Sequence, residues 1–186
     1  MIARGILLLA RGSRAGIKEF GNTLDNFTAS IAPLIAFPLV FSAMAAVAGQ
    51  LQLGLLSFLS HLCAVLVLPV ITHEFARRVG MEGYWLRAAT ALNWSFWMLI
   101  PALFVAAFIA AVMVEAGLGM VDGEYAAMAM IGLYFLWYHW FIVRAGLGLG
   151  VLGAMGFVAL SSLCIGLFSA GPMLIDWVFY GVVPHY

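Results

Sequence analysis

Residues 26–73 run for 48 positions without one Asp, Glu, Lys or Arg. A water-exposed stretch of that length has no means of wetting its surface. In a bilayer a spanning helix needs about 20 apolar residues, so this stretch is too long for one crossing and sufficient for two. Its most polar turn, Gly49, Gln50, Leu51 and Gln52, divides it into spans over 29–49 and 53–72 joined as a tight hairpin.

Three further charge-poor gaps follow. Residues 88–114 lie between Arg87 and Glu115, residues 125–143 between Glu124 and Arg144, and residues 145–175 precede Asp176. Gly171 and Pro172 split the last, leaving 147–170 as the fifth span and 171–186 as a tail. Trp177, Phe179, Tyr180 and Tyr186 in that tail suit the membrane–water interface, where amphipathic rings concentrate. Composition agrees. Charged residues are 9% of the 186-residue chain and apolar residues 66%, whereas a soluble domain carries about 25% charged residues. The fold class expected is all-α: a polytopic membrane bundle of five transmembrane helices over 29–170.

Residues 1–20 are expected to form a cytoplasmic amphipathic segment. Ile2, Ile6 and Leu9 recur at i, i+4 and i+7 while Arg4 and Arg11 take the other face, a pattern suited to the headgroup layer. The apolar core 6–10 is shorter than the about 7–15 residues of a signal peptide's central region. Five spans put the two ends on opposite sides of the membrane. All eight bases then fall on one side: Arg4, Arg11, Arg14, Lys18, Arg77, Arg78, Arg87 and Arg144. The other side holds the acids Glu115, Asp122, Glu124 and Asp176. By the positive-inside rule the N-terminus is cytoplasmic, and the location expected is a bacterial inner membrane.

Chemistry-bearing residues are few. Cys63 and Cys164 sit in apolar runs and read as small packers, with no disulfide or zinc spacing. Pro33, Pro38, Pro69 and Pro101 lie inside spans and read either as packing kinks or as hinges of an unwound site. His73 and His139 share a depth near the cytoplasmic ends of their spans. With Glu74 beside His73, they read as interfacial anchors or as parts of a proton or metal site. His61 lies in the outer half of its span, a poor position for pairing with His139 across a haem. Asn93 needs a partner inside lipid. With Trp94, His139, His73 and Glu74 it defines a candidate polar cleft. Gly146, Gly150 and Ala154, spaced i, i+4 and i+8, define a candidate helix-packing face, for contact within the monomer or between copies. There is no Gly-rich phosphate loop, no nucleophile elbow and no pair of acids within a span. No enzyme activity, cofactor, metal or nucleic-acid partner is therefore expected.

Several segments together resemble a known family. They are the basic N-terminal helix (Ile6-Leu7-Leu8-Leu9-Ala10-Arg11, then 17–20), the proline-bearing first span (Ala32-Pro33-Leu34-Ile35), and the loop Phe75-Ala76-Arg77-Arg78-Val79-Gly80 leading into 88–91. To these is added Tyr134-Phe135-Leu136-Trp137 running into Arg144-Ala145-Gly146-Leu147. Over roughly residues 1–170 the layout is similar to the bacterial branch of the Yip family, small five-span membrane proteins whose eukaryotic relatives bind Rab-type GTPases. The resemblance implies a five-span, non-enzymatic membrane protein. Its GTPase binding does not carry over, because the N-terminus here is short and basic and Asn93-Trp94-Ser95 stands where the eukaryotic members have a Gly-Tyr motif. The function expected is the organising or scaffolding of membrane partners or lipids, in contact with the bilayer, with other membrane proteins or with further copies of the chain. Two alternatives stand beside it: a small transporter or channel component, and an accessory subunit of a respiratory-type complex that binds haem or quinone.

Overall fold

The computed structural model describes residues 1–180, and among them the chain is helical with no strand. Five helices are long and apolar enough to cross a membrane, spanning Leu24–Val47, Leu51–Arg78, Glu82–Glu115, Met120–Leu147 and Val151–Gly171. In chain order the α-helices are α1 (Ile2–Ala10), α2 (Leu24–Val47), α3 (Leu51–Arg78), α4 (Trp85–Ser95), α5 (Leu99–Glu115), α6 (Met120–Leu147) and α7 (Val151–Tyr180). The five spans follow one another through short links, so the described basic residues, which precede the first and fall at the second and fourth links, belong to one end of the bundle, the basic end.

Local sequence explains the boundaries. Thr23 caps α2, its hydroxyl accepting from the Asn26 N–H, and Asp25 in the first turn faces the positive end of the helix dipole. Gly49 closes the same helix in the left-handed region at φ +80°. The Gln50 N–H reaches back to the Ala45 carbonyl at 2.8 Å and the Gly49 N–H to Ala46 at 3.1 Å, which satisfies two carbonyls that the helix end leaves free. The hairpin turn therefore falls where the charge-free run is most polar. At Gly54 a side chain would meet the Ser42 carbonyl at 2.9 Å, so α2 and α3 approach closely there because glycine has no Cβ.

The third crossing, expected over 88–114, is one span, Glu82–Glu115, with an internal break. Within it α4 and α5 are joined by a 3-10 turn at Phe96–Met98. Pro101 supplies the reason: it has no N–H to donate to the Trp97 carbonyl four residues back, and its ring crowds that carbonyl. The two halves differ in environment. Ala88, Ala89, Thr90, Ala91, Leu92, Asn93 and Ser95 on α4 are all buried, packed among α1, α2, α3 and α6. On α5 only Ala106 is buried, and this helix rests mainly on α6. Small side chains let α4 occupy the centre. Large aliphatic and aromatic ones leave α5 at the periphery.

The expected N-terminal helix forms, and part of its apolar face is covered by protein: Leu9 is buried, Ile6 partly so and Ile2 exposed. Leu9 has no exposed surface, and Ile17 and Phe20, in and just after the 3-10 turn Arg14–Glu19, are buried with it in the main core beside Leu92, Tyr138 and Ile142. Nine residues are too few to hold a helix in isolation, so packing stabilises it. α7 continues through Gly171 and Pro172 to Tyr180, past the division expected at residue 170. The interfacial role expected for the aromatic tail rests on side chains, with Tyr186 among them, that lie outside the described residues.

Candidate functional site

Asn93 lies on the face of α4 turned towards α2. Its side-chain N–H donates to the Ser30 hydroxyl at 3.0 Å, and that hydroxyl donates to the Phe27 carbonyl at 2.7 Å. The amide oxygen has no partner and is buried. Asn93 belongs to the wall of a cavity of about 340 Å³, whose other sides are Pro33 and Pro38 of α2, His61 of α3, Phe96, and Ser169 of α7. Pro38 withholds the N–H that would otherwise reach the Leu34 carbonyl, and Leu34 lines the same cavity. The site is an apolar chamber beside a buried acceptor that lacks a donor. Its lining suits an apolar molecule.

The other residues expected to share this cleft lie elsewhere. Ser95 donates to the Leu92 carbonyl at 2.6 Å, so at 3.0 Å His139 Nε2 donates to the Ser95 oxygen. The ring stands edge-on to Phe96 and Phe135. This contact joins α4 to α6, whereas Asn93 joins α4 to α2. Trp94 turns to the basic end, beside Lys18 and Arg87. His73 is exposed and stands edge-on to Trp85 at 5.1 Å. Glu74 binds Arg77 at 2.7 Å and Arg78 at 2.8 Å, ion pairs on the helix surface. Thus Asn93, Trp94, His139 and the pair His73 and Glu74 occupy four separate settings. His61 bonds its own helix through the Ser57 carbonyl at 2.8 Å. Among the described residues no group of three or more His, Cys, Asp or Glu is placed to hold a metal.

The expected small-residue face is likewise divided. Gly148, left-handed at φ +65°, ends α6, so Gly146 belongs to α6, Gly150 to the link and Ala154 to α7. Gly146 does mediate a close approach, since a Cβ there would meet the Ala88 Cβ at 2.9 Å. Gly150 faces open space, and Ala154 is buried. One face at i, i+4 and i+8 requires an unbroken helix, and the glycine-rich run breaks it.

Sequence reasoning passed over Ser30 and Ser95, which pair Asn93 and His139 from 63 and 44 residues away. It also passed over the partner of Tyr138, whose hydroxyl donates to the Ile6 carbonyl at 3.0 Å and ties α1 to the bundle. No local signal marks such partners. Arg87, Thr90 and Trp94 are different: their spacing of i, i+3 and i+7 was readable as a stripe along one helix face.

The fold and site define an all-α bundle with five helices compatible with an integral membrane protein, built around a buried amide. Comparison with protein-family models, curated proteins and solved structures finds no match to this chain.

Proposed function

We propose that this chain is a non-enzymatic membrane protein that organises lipids, or scaffolds partners, within a bacterial inner membrane, its N-terminus cytoplasmic and its layout Yip-like. The carrying observation is the splay of the bundle. α5 leans mainly on α6, and its outward residues Leu103, Phe104, Val105, Phe108 and Val112 are exposed. Between α5 and α6 lies an apolar cleft of about 310 Å³ walled by Met98, Pro101, Val105, Ile109, Met130 and Ile131. A second, of about 490 Å³, lies between α6 and α7 by Trp137, Trp140 and Met155. Acyl chains match both in chemistry, because nothing but dispersion is needed to fill them. The test is native mass spectrometry after extraction in mild detergent, with crosslinking beforehand. Retained lipids or captured membrane partners are expected. A strictly monomeric species that carries neither sinks the reading.

A transporter is the second reading, favoured by the helix break at Phe96–Met98 beside the free oxygen of Asn93. Flux in proteoliposomes that disappears in Asn93→Leu would raise it above the first. A flat response across ions and small solutes retires it.

A further inference from the structure

Three buried side-chain polar atoms lack a partner among the described residues: Arg87 Nε, Asn93 Oδ1 and Trp94 Nε1. The two donors belong to one stripe of α4. Arg87, Thr90 and Trp94, at i, i+3 and i+7, line a pocket of about 490 Å³ at the basic end. Facing them are Lys18 and Glu19 from the segment after α1, and Asn26 from the first turn of α2. Glu19 is partly offset by Arg4 at 3.7 Å, while Lys18 and Arg87 are in no ion pair among the described residues. The pocket therefore has surplus positive charge, and two of the side chains that line it keep a buried N–H with no acceptor among the described residues. Thr90 adds nothing for a ligand, since its hydroxyl is spent on the Leu86 carbonyl at 2.7 Å.

We infer that this pocket binds a phosphate group. Lys18 and Arg87, two cations without an ion pair among the described residues, call for an oxyanion, and surplus cation excludes a metal ion or an amine as occupant. A phosphate or phosphodiester presents enough oxygens to meet Lys18 and Arg87 at once, and guanidinium–phosphate bonds are among the stronger charge-assisted pairs. Such a group has two sources, the headgroup of an anionic lipid and a free phosphate compound. The lipid source deepens the lipid-organising reading above. The pocket itself does not depend on it, because its geometry is independent of the clefts along α5, α6 and α7.

The experiment uses the full chain, delipidated in a neutral detergent, with bound ligand counted by native mass spectrometry and the unfolding midpoint followed in parallel. The probes are phosphatidylglycerol, diacylglycerol with the same chains, and inorganic phosphate. Phosphatidylglycerol is expected to bind and raise the midpoint, and diacylglycerol to bind at least about tenfold more weakly. Lys18→Gln and Arg87→Gln are each expected to weaken phosphatidylglycerol by about tenfold, with Arg87→Lys in between. Lys18 is exposed, so its variant decides the matter should Arg87→Gln fold poorly. Displacement of the lipid by millimolar inorganic phosphate, or binding of phosphate alone, also supports the site and assigns it to a soluble compound, leaving the lipid-organising reading to be judged on retained acyl chains. Equal binding of phosphatidylglycerol and diacylglycerol with no binding of phosphate overturns the inference. So does unchanged phosphate or phosphatidylglycerol binding in Lys18→Gln.

Discussion

Asn93 has a donor paired and an acceptor stranded, and that asymmetry fixes what its substitutions do. Asn93→Leu combined with Ser30→Ala removes both members of the pair and the stranded oxygen. Stability is expected to stay level or rise by up to about 1 kcal/mol, because replacing a half-satisfied buried pair by apolar groups of similar shape is close to neutral. Asn93→Asp keeps the shape and adds a charge that burial penalises by several kcal/mol, so this variant should unfold first. Denaturation midpoints in one detergent would rank the three proteins, and an Asp variant as stable as the parent contradicts the account. Tyr138 gives a second case. Its ring is fully buried and its hydroxyl bonds the Ile6 carbonyl. Tyr138→Phe keeps the ring and loses a bond of about 1 kcal/mol. Amide exchange in α1 is expected to quicken by roughly fivefold while exchange in α2 and α3 is unchanged. Equal acceleration throughout would mean that the hydroxyl does not hold α1 in particular.

Among the elements, α4 is the one every neighbour depends on. It is walled by α1, α2, α3 and α6, and it approaches α6 closely at Ala88 and Gly146. Gly146→Leu places a branched side chain where even a Cβ meets Ala88 at 2.9 Å. Overpacking of this kind costs typically about 1–3 kcal/mol, and the loss should appear as a lower unfolding midpoint. Gly150→Ala, at a position facing open space outside the left-handed region, is expected to be neutral or to stabilise by up to about 1 kcal/mol. The pair is diagnostic: three small residues on one packing face would make both substitutions harmful. α5 shows the converse. With one main partner it tolerates apolar exchange along its outer side, and Phe104→Leu should leave the midpoint unchanged.

At the scale of the molecule, the proposed orientation rests on the distribution of the charges. Gly83 stands between α3 and α4 at the basic end, in open space. Met120, at the start of α6 on the opposite end, is 70% exposed. On a background without Cys63 and Cys164, a cysteine at Met120 is expected to react with an impermeant reagent in intact cells. One at Gly83 is expected to react only after the membrane is opened. The reverse pattern would invert the orientation, and labelling of both in intact cells would mean a different number of crossings. The same arrangement sets the phosphate pocket at the basic end, where the proposed orientation puts the cytoplasmic headgroups.

Hydropathy alone was enough to divide this chain into five long helices, because a bilayer asks of each crossing only length and the absence of charge, and both are local properties. The turns at Gly49 and Gly80 were legible for a similar reason: a left-handed residue closing a helix is a matter of a few adjacent positions. What the tertiary structure decided is which residues meet. Almost any face of an apolar helix is acceptable to lipid, so the pattern of apolar residues does not say which face packs against protein. Asn93 was recognisable as an amide in need of a partner, but Ser30 as that partner was not. Pro101 was recognisable as a flaw in a span, but the buried α4 and bare α5 on its two sides were not. The aromatic residues at 134–140 are adjacent in sequence, yet packing gave Tyr138 to α1, His139 to α4 and Trp137 to the cleft beside α7. The N-terminal helix was periodic enough to predict, but the periodicity did not say that its Leu9 packs into the main core while Ile2 stays exposed.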